Sequence, residues 1–298
     1  MEKDTIRVGT RGSKLALVQT NMVIDVLKQQ FPNLRFETVI IRTLGDKILD
    51  KPLQEIGGKG LFISELEEAM IKGEIDLAVH SAKDMPAELP QELGILGVLK
   101  REDPRDVLIT RATTTLNDLP SIVIGTSSQR RQTQIEELYH NADCRPLRGN
   151  VDTRLRKLSE GEYDGIILAA AGIKRLQLDH EENFNYRYLE IIEMIPAAGQ
   201  GIIAIEGKKE GIVSELVKAV SDKTAELELW LERKALELFM ADCHEPVGVY
   251  SKVDGEEVTL WMMKRQNGIV KKLVQSTTME KRWDLTRTMV EQISEEIT

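Results

Sequence analysis

Two hydrophobic periods alternate along this chain, and their order predicts β/α units. Ile6 to Gly9 is a short apolar run, and Leu17, Val18, Met22, Val26 and Leu27 then recur at helical steps, so the chain begins strand, turn, helix. A second strand is expected at Phe36 to Ile41, and a helix at Phe62 to Met70. Gly73-Glu74-Ile75-Asp76 then turns into the strand Leu77 to Val79. Lys100 to Asp106 carries charge without apolar period and reads as a crossing between domains. Beyond it the pattern restarts. The strand Ile122 to Ile124 runs into Gly125-Thr126-Ser127-Ser128 and a helix, echoing Gly9-Thr10-Arg11-Gly12-Ser13, and Gly161-Glu162-Tyr163-Asp164 before Gly165 to Leu168 echoes residues 73–79. These echoes predict two similar α/β lobes.

Pro196 to Gly201 leads into the apolar run Ile202 to Ile205, a second crossing back to the first lobe, and a helix is expected over Ile212 to Ser221. Leu229, Arg233, Leu236 and Met240 recur at steps of three or four, while Pro246 cannot continue a helix, so Cys243 is expected in a loop at a helix end. Three strands (Val247 to Val253, Val258 to Met263, Ile269 to Ser276), with turns at Asp254-Gly255 and Asn267-Gly268, and a helix from Trp283 to Ile297 complete a small α+β unit.

With 298 residues, 41% of them hydrophobic, there is room for two or three domains with real cores. A net charge of -9, from 40 basic and 49 acidic side chains, argues against a general nucleic-acid binder, so any anion site must be local. Met1 leads straight into Glu2, Lys3 and Asp4, and no run approaches the roughly 20 apolar residues of a membrane span. A cytoplasmic protein without membrane contact is expected. Two cysteines, Cys144 and Cys243, are too few for a disulfide framework, and neither they nor the four histidines show metal-ligand spacing.

The candidate chemistry gathers at strand ends. Ser13 is an expected N-cap whose turn aims backbone N–H groups and a helix dipole at an anion. Lys83 and Asp84 stand just past a carboxyl strand end, where open α/β sheets place ligands, and Gly57, Gly58 and Gly60 around Lys59 make a candidate lid. Arg130, Arg131, Arg148, Arg154 and Arg175 cluster in the second lobe; guanidinium forks bind carboxylates through paired hydrogen bonds, which suits a polycarboxylate. Taken singly, each of these residues reads equally well as a solvated turn or helix side chain.

Four motifs together carry a family resemblance: His80-Ser81-Ala82-Lys83-Asp84-Met85-Pro86, Gly125 to Gln132, Arg148-Gly149-Asn150-Val151-Asp152-Thr153-Arg154-Leu155, and Pro196 to Gly201. In this order they resemble the porphobilinogen deaminase (hydroxymethylbilane synthase) family, nearly end to end. The resemblance implies two lobes like those of type II periplasmic binding proteins and a small α+β C-terminal domain. The divisions expected are 1–100 with 198–221, 101–197, and 222–298. It also implies condensation of four porphobilinogen molecules, with loss of ammonia, on a dipyrromethane cofactor joined by a thioether to Cys243, followed by hydrolytic release of hydroxymethylbilane. By motif match Asp84 is the catalytic carboxylate. Lys83, Thr126, Ser128, Arg130 and Arg131 correspond to cofactor ligands, and Arg11, Ser13, Arg148, Arg154 and Arg175 to positions holding substrate or the growing oligopyrrole. Lys59 falls on the flexible loop, no metal is implied, and a monomer is expected.

The chain departs from the family pattern at Ala241-Asp242, where two glycines are usual, at Glu245, where a small aliphatic residue or threonine is usual, and at Gln129 in place of leucine. Carboxylates beside Cys243 disfavour its thiolate, so slower cofactor attachment, or attachment from a preformed tetrapyrrole, is expected. The main rival is a non-catalytic two-lobed polycarboxylate-binding protein. A cysteine hydrolase is weaker, because Cys243 and His244 are sequence neighbours in an extended segment and point apart.

Overall fold

The computed structural model describes residues 5–43, 63–116, 119–241 and 245–295. These divide into two compact units, 1–101 with 202–226 and 102–201 with 227–298.

In the first unit, β1 (Thr5–Thr10), α1 (Lys14–Gln30), β2 (Arg35–Ile40), α2 (Ser64–Ile71), β3 (Leu77–Ser81) and β4 (Leu93–Val98) come in chain order. The second unit continues with β5 (Asp106–Arg111), β6 (Ile122–Gly125), α3 (Gln129–Leu138), β7 (Ala142–Arg145), α4 (Val151–Ser159), β8 (Gly165–Ala169), α5 (Ala170–Arg175) and β9 (Phe184–Tyr188). The chain then returns to the first unit through β10 (Ile203–Lys208) and α6 (Ile212–Val220). The helix α7 (Lys223–Phe239) leads to β11 (Val247–Asp254), β12 (Glu257–Gln266), β13 (Ile269–Thr278) and α8 (Arg282–Ser294).

The two larger sheets repeat one topology. Their strand orders are β2-β1-β3-β10-β4 and β7-β6-β8-β5-β9. In each, three strands pair in parallel and the strand that follows a crossing, β10 or β5, inserts antiparallel beside the third. These are the two similar α/β lobes that the sequence echo predicts, with β11 to β13 as a separate antiparallel meander carrying α7 and α8.

The sequence echo has a physical basis. Gly73 (φ 72°) and Gly161 (φ 81°) end a helix in the left-handed conformation that glycine tolerates. Three residues later Asp76 accepts the backbone N–H of Arg7, and Asp164 that of Val123, each at 2.8 Å. Both aspartates thus tie the third parallel strand to the start of the first. Gly9 and Gly125 are alike too: a Cβ on Gly9 would lie 2.3 Å from Ile75 Cδ1, and one on Gly125 2.9 Å from Tyr163 Cδ1. A side chain at either position would force these neighbours to shift.

Apolar strand faces account for the cores. Ile6, Val8, Leu77, Val79, Ile203 and Ile205 pack with Val23, Leu27 and Val217 in the first unit. In the second, Val107, Ile109, Ile166 and Leu168 pack with Leu155 and Leu158. A third core joins Leu231, Ala235 and Phe239 of α7 to Val249, Leu260 and Met262 of the meander and Met289 and Ile293 of α8. At the Asn267-Gly268 turn both φ values are positive, 52° and 79°, as a two-residue hairpin requires.

Met240 departs from the predicted helical stripe. It is 90% exposed, with φ 52°, one residue past the end of α7. Ala241 N–H donates to Leu236 O and Met240 N–H to Glu237 O, the pairing that satisfies the last helical carbonyls. The helix therefore stops by its own C-terminal cap well before Pro246. Among the described residues no helix is long and apolar enough to cross a membrane.

Candidate active site

Two helix N-termini organise the predicted residues. At the first, Ser13 caps α1 by accepting the N–H of Ala16 at 3.2 Å. The β1–α1 turn brings Arg11 and Ser13 to the carboxyl end of β3, where Ser81 gives way to a single 3-10 turn, Ala82–Asp84. Arg11, Ser13 and Asp84 line one cavity of about 90 Å³ with Leu15, Gln19, His80 and Ser81. Asp84 is exposed there, and Ala82 and Met85 on either side of the Lys83-Asp84 pair are buried, which anchors the turn.

Gln19, His80 and Ser81 are site residues that motif matching did not single out. Gln19 is 4% exposed and its amide pairs with Ser81, Nε2 donating to Oγ at 3.0 Å. A glutamine among the apolar positions of α1 was the available signal, since a buried amide needs partners.

At the second N-terminus, Ser128 caps α3, its Oγ accepting from the N–H of Arg131 at 3.4 Å, while its own N–H donates to Thr126 Oγ1 at 3.2 Å. Thr126 is buried and bonded through its N–H to Arg145 O. Arg130 and Arg131, 4% and 7% exposed, both turn onto Asp106, which is fully buried. Arg130 Nη1 donates to Asp106 Oδ2 at 2.8 Å and to Ile195 O at 2.8 Å. Arg131 donates to Asp106 Oδ1 from Nε (3.0 Å) and Nη2 (2.7 Å), and from Nη1 to Ile167 O (2.9 Å). Burial pulls the proton affinity of Arg130 down against the attraction of Asp106, and the adjoining Arg131 adds to the pull. Two guanidiniums against one carboxylate leave an excess positive charge beside hydroxyl donors. That donor set fits the carboxylates of a pyrrole cofactor.

The remaining arginines occupy separate places in the second unit. Arg154 donates from Nε to Gly149 O at 2.8 Å, across the turn that Asn150 caps by accepting the N–H of Thr153 at 2.9 Å. Arg148 is half-buried before that turn. Arg175 donates from Nη2 to Gly201 O at 2.6 Å, and burial lowers its pKa to about 10, with Glu102 opposing. Arg175 thus braces the end of the Pro196 to Gly201 segment. Glu232 of α7 holds the same segment, accepting the N–H of Gly199 at 2.6 Å. Lys59, Asp242 and Cys243 lie outside the described residues.

A larger cavity of the second unit, about 300 Å³, is lined by Leu108, Thr110, Tyr139, Asn185 and Arg187 among others and contains none of these residues. Arg187 there is engaged by Tyr139 and Glu193. Cys144 has its thiol pushed up to about 11 by burial and by Glu136 and Asp143, which keeps it protonated at neutral pH.

Residues 6–213 match the family described as "Porphobilinogen deaminase, dipyromethane cofactor binding domain". The porphobilinogen deaminase of Alkaliphilus metalliredigens is 46% identical over 85% of this chain and 80% of its own length. That of Roseiflexus sp. is 47% identical over 87% and 85%. That of Clostridium acetobutylicum is 42% identical over 98% of this chain and 99% of its own. Among solved structures, the effector binding domain of BenM is similar at 18% identity and a TM-score of 0.44, covering 72% of this chain and 89% of that one. With a family match spanning more than half its residues and relatives above 40% identity along nearly all of it, the chain belongs to the porphobilinogen deaminase family of transferases.

Proposed function

We propose that the protein is a hydroxymethylbilane synthase: it joins four porphobilinogen molecules in succession, releasing ammonia at each condensation, and hydrolyses the finished linear tetrapyrrole free. The observation that carries this reading is the convergence of Asp84, Arg11 and Ser13 on one cavity of the first unit. Arg11 and the capped start of α1 suit a substrate carboxylate. Asp84 suits the positive charge that develops on the pyrrole methylene carbon as the C–N bond breaks and its electron pair leaves with the amine. A carboxylate held beside that carbon lowers the barrier without reorganising at the moment of reaction.

The bound dipyrromethane would supply the pyrrole carbon on which the chain is extended, attached through the sulfur of Cys243. Thr126, Ser128, Arg130 and Arg131 would orient its carboxylates, with Lys83 contributing a further cation. Arg148, Arg154 and Arg175 would serve the carboxylates that accumulate as pyrroles are added. We read the chain as three domains, 1–100 with 198–221, 101–197 and 222–298, working as a cytoplasmic monomer without nucleic-acid partners.

Two measurements on the purified protein test this. Its intact mass should exceed the sequence mass by a dipyrromethane, lost on Cys243→Ser, and porphobilinogen should be consumed with release of ammonia. Binding of a pyrrole polycarboxylate without turnover and without added mass would favour the non-catalytic two-lobed binder instead.

A further inference from the structure

The reaction as described gives no part to Gln200, a fully buried side chain in the segment that leaves the second unit. The backbone around it is fixed on both sides. Gly199 (φ 73°) and Gly201 (φ 89°) turn the chain in the left-handed conformation, and the N–H of Gln200 donates to Ala197 O at 3.0 Å. Glu232 holds the N–H of Gly199, while Gly201 O accepts from Glu102 N–H at 3.1 Å as well as from Arg175. The side chain therefore departs from a set point of the backbone. Its Nε2 donates to two acceptors, Pro104 O at 2.7 Å and Asp106 Oδ1 at 3.1 Å. An amide nitrogen carries two hydrogens, so both are used.

These bonds bear on how Asp106 faces the arginines. A guanidinium and a carboxylate often meet through two parallel bonds, one to each oxygen. Arg131 instead sends Nε and Nη2 to the same oxygen, Oδ1, while Oδ2 takes Arg130. The carboxylate is turned away from the parallel arrangement, with Arg130 on one oxygen and Gln200 on the other to hold it there. Arg130 is tied in turn to Ile195 O, a carbonyl that Gln134 shares. Without the Gln200 amide, the carboxylate gains freedom to rotate about its Cβ–Cγ bond. The Arg131 guanidinium moves with it.

We propose that Gln200 is a positioning residue for the cofactor-binding arginines: its amide sets the rotation of the Asp106 carboxylate, and the carboxylate sets where Arg131 and Arg130 present their remaining N–H groups. This rests on the role given to those arginines above. A displaced guanidinium still binds a pyrrole carboxylate but holds the ring to be extended off its line of approach, a loss felt in turnover rather than in substrate capture. Capture of porphobilinogen falls to Arg11 and Ser13 of the first unit.

The test reads the arginines directly, in ¹⁵N spectra of the labelled holoenzyme. Gln200→Met removes both donors at nearly constant size. The Nε–Hε signal of Arg131 should shift and its exchange with water quicken, and kcat per mole of holoprotein, counted by intact mass, should fall about ten-fold with KM for porphobilinogen within about two-fold. Gln200→Asn keeps an amide one methylene shorter and should displace the Arg131 signal likewise, which decides the matter if the methionine variant does not fold. Leu273→Ala weakens the core of the meander instead and should leave both the signal and kcat per holoprotein at wild-type values. An unmoved Arg131 signal or an unchanged kcat per holoprotein in the Gln200 variants overturns the proposal. The same displacement in Leu273→Ala also overturns it, because loss of stability alone would then account for the effect. Failure of the wild type to consume porphobilinogen would refute the assigned function instead, leaving the arginine signals to decide whether Gln200 orients Asp106.

Discussion

Asp106 gathers Arg131 through two donors, Nε at 3.0 Å and Nη2 at 2.7 Å, while also receiving Arg130 and the Gln200 amide, the latter at 3.1 Å. One buried carboxylate thereby fastens the start of α3 to the linker that leaves the second lobe. Replacing Asp106 by Asn leaves two buried guanidiniums without their counter-ion. The expected loss is about 3–5 kcal/mol of unfolding free energy, read by denaturant titration of the folded protein.

Asp84→Asn keeps the size of the side chain and removes its charge. Since Asp84 is exposed and makes no part of the core, the unfolding midpoint should stay within about 0.5 kcal/mol of wild type. Steady-state turnover of porphobilinogen should fall by about 10²–10³, the scale of losing one oriented electrostatic contact. A variant retaining most of the wild-type turnover would remove Asp84 from the chemistry.

Glu232 accepts the backbone N–H groups of Gly199 (2.6 Å) and Ser251 (2.8 Å) and the Ser251 hydroxyl (3.0 Å) in a fully buried setting. Glu232→Ala should therefore cost about 3 kcal/mol or more, with the protection of the Gly199 amide against hydrogen exchange falling in parallel. Unchanged protection at Gly199 would show that the linker is held without this carboxylate.

Acid stability should depend on Asp103. Burial alone would raise its proton affinity, but hydrogen bonds from Arg105 (2.8 Å) and Lys174 (2.7 Å) outweigh burial and hold the carboxyl well below its ordinary range. A depressed carboxyl stabilises the fold above its unfolded value, near pH 4, and loses that contribution as pH falls toward the folded value. Asp103→Asn should flatten the decline of unfolding free energy below about pH 4, measured across an acid titration.

The thiols should be separable. With Cys144 pushed up to about 11, a maleimide at pH 7 should leave it unmodified in the folded protein and label it only on unfolding. Native labelling, located by peptide mass, then reports on Cys243, which should be blocked in the holoprotein and modifiable in protein made without its cofactor. Rapid native labelling of Cys144 would contradict the burial that raises it.

Much of this was legible along the chain, and the reasons are local. Ser13 was readable as a cap because a cap is a matter of one side chain and the next three residues. The paired turns ending in Asp76 and Asp164 were readable because both lobes use the same short solution. The stop of α7 was readable only approximately: Met240 fits the apolar period, yet the helix closes on its own backbone at Phe239 and Met240 points out.

The sequence by itself determined the two-lobe repeat, the meander, and the family, through motifs whose meaning is carried by a few consecutive residues. Only the tertiary structure decided what those residues spend their charge on. Asp106 read as one more charge in a crossing between domains, whereas burial beside Arg130 and Arg131 makes it their shared counter-ion. His80 and Glu206 lie 126 positions apart along the chain and meet only because β3 and β10 are neighbours. Periodicity and turn chemistry act over a turn or a strand, whereas the partner of a buried charge is chosen by which strands the packing sets side by side.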